Sequence, residues 1–254
     1  MAIIICLGNI GSGKTVTVVR EMVMNKQKIN YYTNINSKKP SKTKHIHKIT
    51  ADMIIERKQE GFKTKKDKSV EPIYKLQLNK DFWLEVDKPI SVILDEAHTI
   101  MNPRRAMSKV NVIVGDFLAL LRRVLGEDSQ SEGDLYLITQ LNRRLDVIGR
   151  EMAHQIRYHV CHFTKTCLKC GVSWAENSEM PEQLRICPVC EHPRLNKSKF
   201  IIEVKHFAGI KAYEDWKDFG VMSYHRHYFI NDIEDYFPYY NTHQWEDLFN
   251  DYYN

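Results

Sequence analysis

The sequence predicts an α/β fold, a mainly parallel sheet flanked by helices, carrying a small cysteine-rich insertion. Three observations predict it. Apolar runs rich in β-branched residues recur along the chain with helical segments between several of them, the pattern of parallel strands buried on both faces. The first run, Ile3-Ile-Ile-Cys-Leu7, passes directly into a glycine-rich loop and then into a helical pattern. Two C-x₂-C pairs stand between two further strand-like runs near the end of the chain.

Composition sets the outer limits. The chain has 254 residues, 43% of them hydrophobic and 27% charged, which excludes a disordered or collagen-like polymer. Eleven glycines and eight prolines are too few for long flexible linkers. There is no run of the roughly 18 apolar residues that a membrane span needs. The opening MAIIICLGNI has neither a basic leader nor a cleavage site. A soluble, cytoplasmic protein without a membrane span is expected. The net charge of +5 permits a polyanionic partner without requiring one. Its distribution is uneven. Residues 36–68 hold eleven Lys/Arg against four Asp/Glu, and residues 231–254 hold six acidic residues and no Lys or Arg. The basic run suits either phosphate contact or a solvated insertion. The acidic tail carries eight aromatic residues, from Tyr236 to Tyr253, so it is expected to dock on its own domain or on a neighbour.

In chain order, the strand at 3–7 leads into Gly8-Asn9-Ile10-Gly11-Ser12-Gly13-Lys14-Thr15, which fits G-x-x-x-x-G-K-[ST] at every fixed position. Glycines let the backbone wrap a phosphate with its N–H groups turned inward, and the following helix, over about 15–26, adds the positive end of its dipole. Lys14 would reach the β- and γ-phosphates of ATP, and Thr15 would hold Mg²⁺. Residues 28–35 are a strand candidate. Residues 36–80 read as a basic insertion. The strand at 90–95 ends in Asp95-Glu96, with Asp95 placed to bind Mg²⁺ through water and Glu96 to orient or deprotonate the attacking water. Residues 117–126 read as an amphipathic helix ending at a glycine. Arg123 or Arg122 in its last turn could reach a phosphate, in cis or across a subunit boundary, or could serve only the helix dipole. Arg143, Arg144 and Arg150 are rivals for the phosphate role. The strand at 135–139 ends at Gln140, where a polar side chain meets ligand in an open α/β sheet, or simply faces a loop.

Strands at 156–163 and 199–207 flank Cys167-Leu-Lys-Cys170 and Cys187-Pro-Val-Cys190. A C-x₂-C-x₁₆-C-x₂-C spacing suits four thiolates around one Zn²⁺, which would fold a segment too short and polar for a core of its own. Two disulfides are the alternative, disfavoured in a cytoplasmic enzyme. This zinc-knuckle insertion is expected to be structural, with contact to DNA or a neighbouring subunit through Lys165, Lys169, Arg185, Arg194, Lys197 and Lys199 as a further possibility. The expected division is residues 1–163 plus 199–230 as one α/β domain, 164–198 as the zinc-binding insertion and 231–254 as the tail.

Taken together, Gly-Asn-Ile-Gly-Ser-Gly-Lys-Thr, Leu-Asp-Glu-Ala-His followed by Asn102-Pro103-Arg104, Arg123 and Gly126, Leu-Ile-Thr-Gln, and Leu145-Asp-Val-Ile-Gly-Arg150 resemble the zonula occludens toxin (Zot) domain family of filamentous phages, within the FtsK–HerA superfamily of P-loop ATPases. The likeness covers about residues 1–163 and the strand near 199–207. It implies a P-loop NTPase fold of RecA/FtsK–HerA type and a ring-forming ATPase that moves or extrudes DNA. It also implies functional roles for Lys14, Thr15, Asp95, Glu96 and Gln140. Phage-assembly members usually add a transmembrane segment and lack a zinc motif. The departure here shifts the expectation from extrusion toward a viral packaging ATPase in the host cell, acting on double-stranded DNA as a homo-oligomeric ring with a capsid or replication partner. The alternatives are a P-loop switch that remodels protein or replication complexes, and a Zot-like assembly or extrusion ATPase. The Asp-Glu pair and the strand-end glutamine argue against a small-molecule kinase.

Overall fold

The computed structural model describes residues 2–25, 29–38, 43–64, 69–87, 89–101, 108–126, 133–140, 147–241 and 248–249, without the side chains of 122–126 and 147–148. A nine-stranded sheet organises the chain. Its centre is β1 (Ile3–Leu7), flanked by β7 (Leu135–Ile138) and then β6 (Ile90–Leu94), β2 (Asn30–Thr33) and β3 (Ile46–Lys48) on one side, all parallel. On the other side β8 (Gln155–Cys167) pairs in parallel with β1, and β10 (Leu195–Phe207) and β11 (Tyr224–Ile230) follow antiparallel.

The unbroken apolar runs follow from burial on both faces. In β1, Ile3, Ile5 and Leu7 enter one core while Ile4 and Cys6 enter the other. Each fully buried Ile or Leu contributes about 1.5–3 kcal/mol. The first core takes in α3 (Lys80–Glu85), α5 (Lys109–Gly126) and α7 (Gly209–Phe219) through Trp83, Phe117 and Tyr213. The second is covered by α1 (Lys14–Met24) and by a 3₁₀ segment, Ile233–Tyr239. Arg20 of α1 grips Asp232 with two hydrogen bonds at 3.0 and 3.1 Å, and Tyr240 is buried, so this part of the acidic tail docks on its own domain.

Two regions differ from the sequence expectation. The basic stretch 36–80 holds β3, α2 (Ala51–Ile54), β4 (Ile55–Thr64) and β5 (Val70–Leu78). β4 and β5 form a separate two-stranded antiparallel sheet whose side chains are mostly exposed. Polar side chains on both faces hid its period-two signal. The strands flanking the cysteines are also longer than the apolar runs suggested. β8 continues to Cys167, and β10 begins at Leu195. The first half of β8 borders β1, and its second half borders β9 (Ser173–Asn177) instead. The cysteine-rich arm thus grows out of the central ladder. Lys165, one of the residues named above for a possible contact with DNA or a neighbouring subunit, is buried and paired with Glu176 at 2.8 Å.

Candidate nucleotide site and cysteine cluster

Residues 8–15 leave the end of β1 and turn into α1. Three glycines take left-handed or otherwise positive φ: Gly8 at 147°, Gly11 at 74° and Gly13 at 88°. At Gly8 a Cβ would lie 2.4 Å from the His159 carbonyl oxygen, and at Gly13 it would lie 2.3 Å from Ile202 Cδ1. The His159 backbone therefore demands glycine at position 8, while at position 13 the left-handed φ favours it and the flexible end of Ile202 lies close. Lys14 is buried at the start of α1. Its Nζ donates to the carbonyl oxygens of Gly8 at 2.9 Å and Asn9 at 3.0 Å, which centres the ammonium over the loop. Burial holds its pKa below the ordinary lysine value, against the pull of Glu96 and Asp95. Asn9 reaches outward and donates to the Ser178 carbonyl at 3.0 Å. Ser12 is fully buried, and Ile10 is exposed at the crown of the loop.

The β6 end completes one side. Thr15 Oγ1 donates to Asp95 Oδ2 at 3.0 Å, and the Glu96 N–H donates to Asp95 Oδ1 at 2.9 Å. Burial raises the Asp95 carboxyl to about 6. Glu96 has φ 49° and ψ 42°, a left-handed conformation that costs a non-glycine residue about 1–2 kcal/mol. Its Oε1 lies 3.5 Å from Gln140 Nε2, and its Oε2 lies 3.3 Å from His98 Nδ1, at ion-pair distance but without hydrogen-bond geometry. The structure thus gathers Lys14, Thr15, Asp95, Glu96 and Gln140 around the loop. The Arg123 side chain and all of Arg143 and Arg144 lie outside the described residues. Arg150, in α6 (Val147–Glu151), is not among the residues lining the cleft.

Sequence reading missed two polar neighbours. Asn34, just past β2, donates to the Asp95 carbonyl at 2.9 Å and accepts from the Asp95 N–H at 2.7 Å, fixing the end of β6. The sequence pattern places Asn34 inside a strand at 28–35, whereas β2 ends at Thr33 and leaves Asn34 free to turn onto Asp95. His98, two residues beyond Glu96, sits 3.4 Å from Thr139 Oγ1 and links the ends of β6 and β7. A cleft of about 700 Å³ is lined by residues 10–16, Glu96 and Gln140, and also by Phe163, Phe200, Ile202, Phe237 and Tyr240.

The four cysteines of the arm also converge. Their sulfurs all lie within 4.8 Å of one another, with Cys167–Cys190 and Cys170–Cys187 both at 3.6 Å and none bonded as a disulfide. A tetrahedral zinc with Zn–S of about 2.3 Å sets its sulfurs about 3.8 Å apart, so the set fits that ion. The two halves are built alike. The N–H groups of Lys169 and Val189 approach Cys167 and Cys187 Sγ at 3.4 and 3.5 Å, and Gly171 and Glu191 each close the turn with positive φ.

A glycine-rich loop between a buried parallel strand and a helix, facing a strand-end Asp-Glu pair, defines a P-loop nucleotide-binding α/β domain. The chain belongs to the zonular occludens toxin (Zot) family, whose family model matches residues 2–168. Among solved structures it is similar to the N-terminal domain of zonular occludens toxin from Neisseria meningitidis. That match has 19% identity and a TM-score of 0.44, covering 95% of this chain and 100% of that one. It is also similar to B204, the DNA-packaging ATPase from Sulfolobus turreted icosahedral virus (16% identity, TM-score 0.34, 62% of this chain and 74% of that one). The B204 genome-packaging NTPase of Sulfolobus turreted icosahedral virus 2, in complex with ATP-gammaS, gives 14% identity and a TM-score of 0.38 over 62% and 74%. A search of curated proteins returns no match. Among the described residues, no helix is long and apolar enough to cross a membrane.

Proposed function

We propose that this chain is an ATP-hydrolysing motor that translocates or packages DNA as a ring of identical copies. The observation that carries the reading is the convergence of Lys14, the Thr15–Asp95 pair and the Glu96–Gln140 pair on one loop. Loop N–H groups and Lys14 hold the phosphates. Thr15 Oγ1 and Asp95 Oδ2, 3.0 Å apart, are hard oxygen ligands suited to Mg²⁺. When bound, that ion neutralises charge developing on the β- and γ-phosphate oxygens. Glu96 takes the proton of the attacking water, and Gln140 orients that water against the γ-phosphate. Arg123 of a neighbouring copy adds a second positive charge to that of Lys14 at the γ-phosphate, with Arg150 as the second candidate.

The four cysteines hold one Zn²⁺ as a structural staple. Exposed Lys169, Arg185, Arg194 and Lys199 on the arm, with the basic run at 36–68, suit sequence-independent contact with a phosphate backbone. The deciding experiment measures the ATPase rate with and without double-stranded DNA alongside native mass. Stimulation by DNA in an oligomer, with affinity falling steeply as salt rises, supports the motor. Monomers that hydrolyse ATP at full rate with no response to DNA would replace it with a protein-remodelling switch.

A further inference from the structure

The cleft is lined by aromatic residues as well as by the loop, and β8 and β10 lie across β1 from β6 and β7, which carry Glu96 and Gln140 at their ends. Glu96 and Gln140 mark the end where the terminal phosphate meets water, so the rest of a nucleotide must leave the loop in the opposite direction, toward β8 and β10. We infer that Phe200 and Phe237 form the seat of the nucleotide base, an inference that rests on the nucleotide reading above.

The wall is built for that place. Ile202 packs directly on Gly13. Phe200 lies two residues before Ile202 in β10, about 7 Å at the usual strand rise. The β8–β10 register shifts between Ser198 and Ile201, and Lys199 takes a φ of 56°, so strict alternation breaks where Phe200 enters the cleft. Phe237 meets Phe200 edge to face, with centroids 5.6 Å apart and an interplanar angle of 70°; Phe163 stands 6.3 Å from Phe200 on the inner side.

The segment carrying Phe237 is anchored on several sides. Arg20 holds Asp232, the Phe200 N–H donates to Glu234 Oε1 at 3.0 Å, and the Lys38 N–H donates to the Tyr239 carbonyl at 2.8 Å. Phe237 itself remains 39% exposed, although it sits on a docked segment beside the cleft. A planar base laid against this pair covers that surface. Stacking accepts any base and grows with its area, so the site favours purine over pyrimidine nucleoside triphosphates.

The test uses the full chain and two probes: ATP, and tripolyphosphate, which has the phosphates and no base. Calorimetric titration should show Phe237→Ala and Phe200→Leu binding ATP about tenfold more weakly, with tripolyphosphate affinity unchanged. Lys14→Ala should weaken both. Wild-type protein should bind ATP more tightly than CTP, and that preference should collapse in Phe237→Ala. Wild-type ATP affinity in both phenylalanine variants would overturn the inference. So would equal loss of ATP and tripolyphosphate, which would make the wall a support for the loop. Wild-type protein that binds neither probe would remove the nucleotide reading itself, and the base seat with it.

Discussion

Gln140 Nε2 stands 3.5 Å from Glu96 Oε1, although 44 residues separate them. The contact exists because β6 and β7 run parallel in register, Leu94 beside Leu137, and so end at the same edge of the sheet. The two side chains bracket the place where a water would face the loop. Glu96→Gln should bind ATP as the wild type does and hydrolyse it about 10²–10⁴-fold more slowly, because the amide cannot take a proton. Gln140→Ala should slow hydrolysis by less, since it loses orientation and keeps the base. Single-turnover hydrolysis beside equilibrium binding separates the two effects. A wild-type rate in Glu96→Gln would remove Glu96 from the chemistry.

The loop glycines should differ in tolerance for a structural reason. A methyl at Gly11 meets nothing within 4 Å, so Gly11→Ala costs only its left-handed backbone, about 1–2 kcal/mol. A methyl at Gly8 strikes the His159 backbone carbonyl, which cannot swing aside. Gly8→Ala should therefore destabilise the fold by clearly more than Gly11→Ala. Urea unfolding of the two variants, read as the difference in midpoint, is the check. Equal costs would mean that β8 yields at His159.

These contacts explain which features were legible in the sequence. β1, β6 and β7 are buried on both faces, so their apolar runs stand out without any partner being known. The loop from Gly8 to Thr15 is equally plain, because each fixed residue answers a local demand of the backbone or of a phosphate. The cysteine pairs carry their spacing openly. Asn34 and His98 were harder to see, since their roles arise only when β2, β6 and β7 lie side by side. The β4–β5 hairpin lacks a buried face, and the wall of Phe200 and Phe237 depends on a register shift and a docked tail, neither of which has a local signature. The sequence places the start of the arm at 164, where strong hydrophobicity fades, but the β8–β10 ladder carries the strands onward to Cys167 and back from Leu195.

His159 supplies a pH prediction. It is fully buried, and its Nδ1 faces the carbonyls of Leu7 at 3.2 Å and Arg157 at 3.0 Å, so that nitrogen carries the hydrogen. Burial, with Lys14 nearby, lowers its pKa to about 3. The unfolded chain therefore takes the proton first. The stability tied to the neutral ring is complete above about 6.5 and is lost as pH falls from there toward 3. Between pH 7 and pH 5 the loss is roughly 2 kcal/mol. His159→Asn keeps a donor for the two carbonyls and cannot titrate. It should be less stable at pH 7 but show a flatter decline to pH 5 in urea unfolding. An unchanged slope would assign the acid sensitivity to other groups, His206 first, whose burial lowers it to about 4.

The cysteine cluster should matter beyond its own arm. β8 pairs with β1 through residues 155–158, and past that point its backbone pairs with β9 and β10, whose far ends meet at the four sulfurs. Removing the metal leaves that end of the ladder to backbone bonds, the buried Lys165–Glu176 pair and side-chain bonds such as Thr166–Ser173. Hydrogen exchange should then rise across 164–198 while residues 155–160 stay protected. The effect should also reach the cleft. Asn9 of the loop donates to Ser178, and Gln183 and Lys197 line the nucleotide end of the arm, so loosening it removes a fixed acceptor from the loop and two groups from the rim. Protein treated with a chelator, or carrying Cys170→Ser, should lose one zinc per chain by elemental analysis and bind ATP several-fold more weakly, while its parallel sheet stays folded. Purified protein with two intact disulfides and no metal would sink the zinc assignment. Unchanged exchange in 164–198 after metal loss would show that the β8–β10 ladder holds the arm without it.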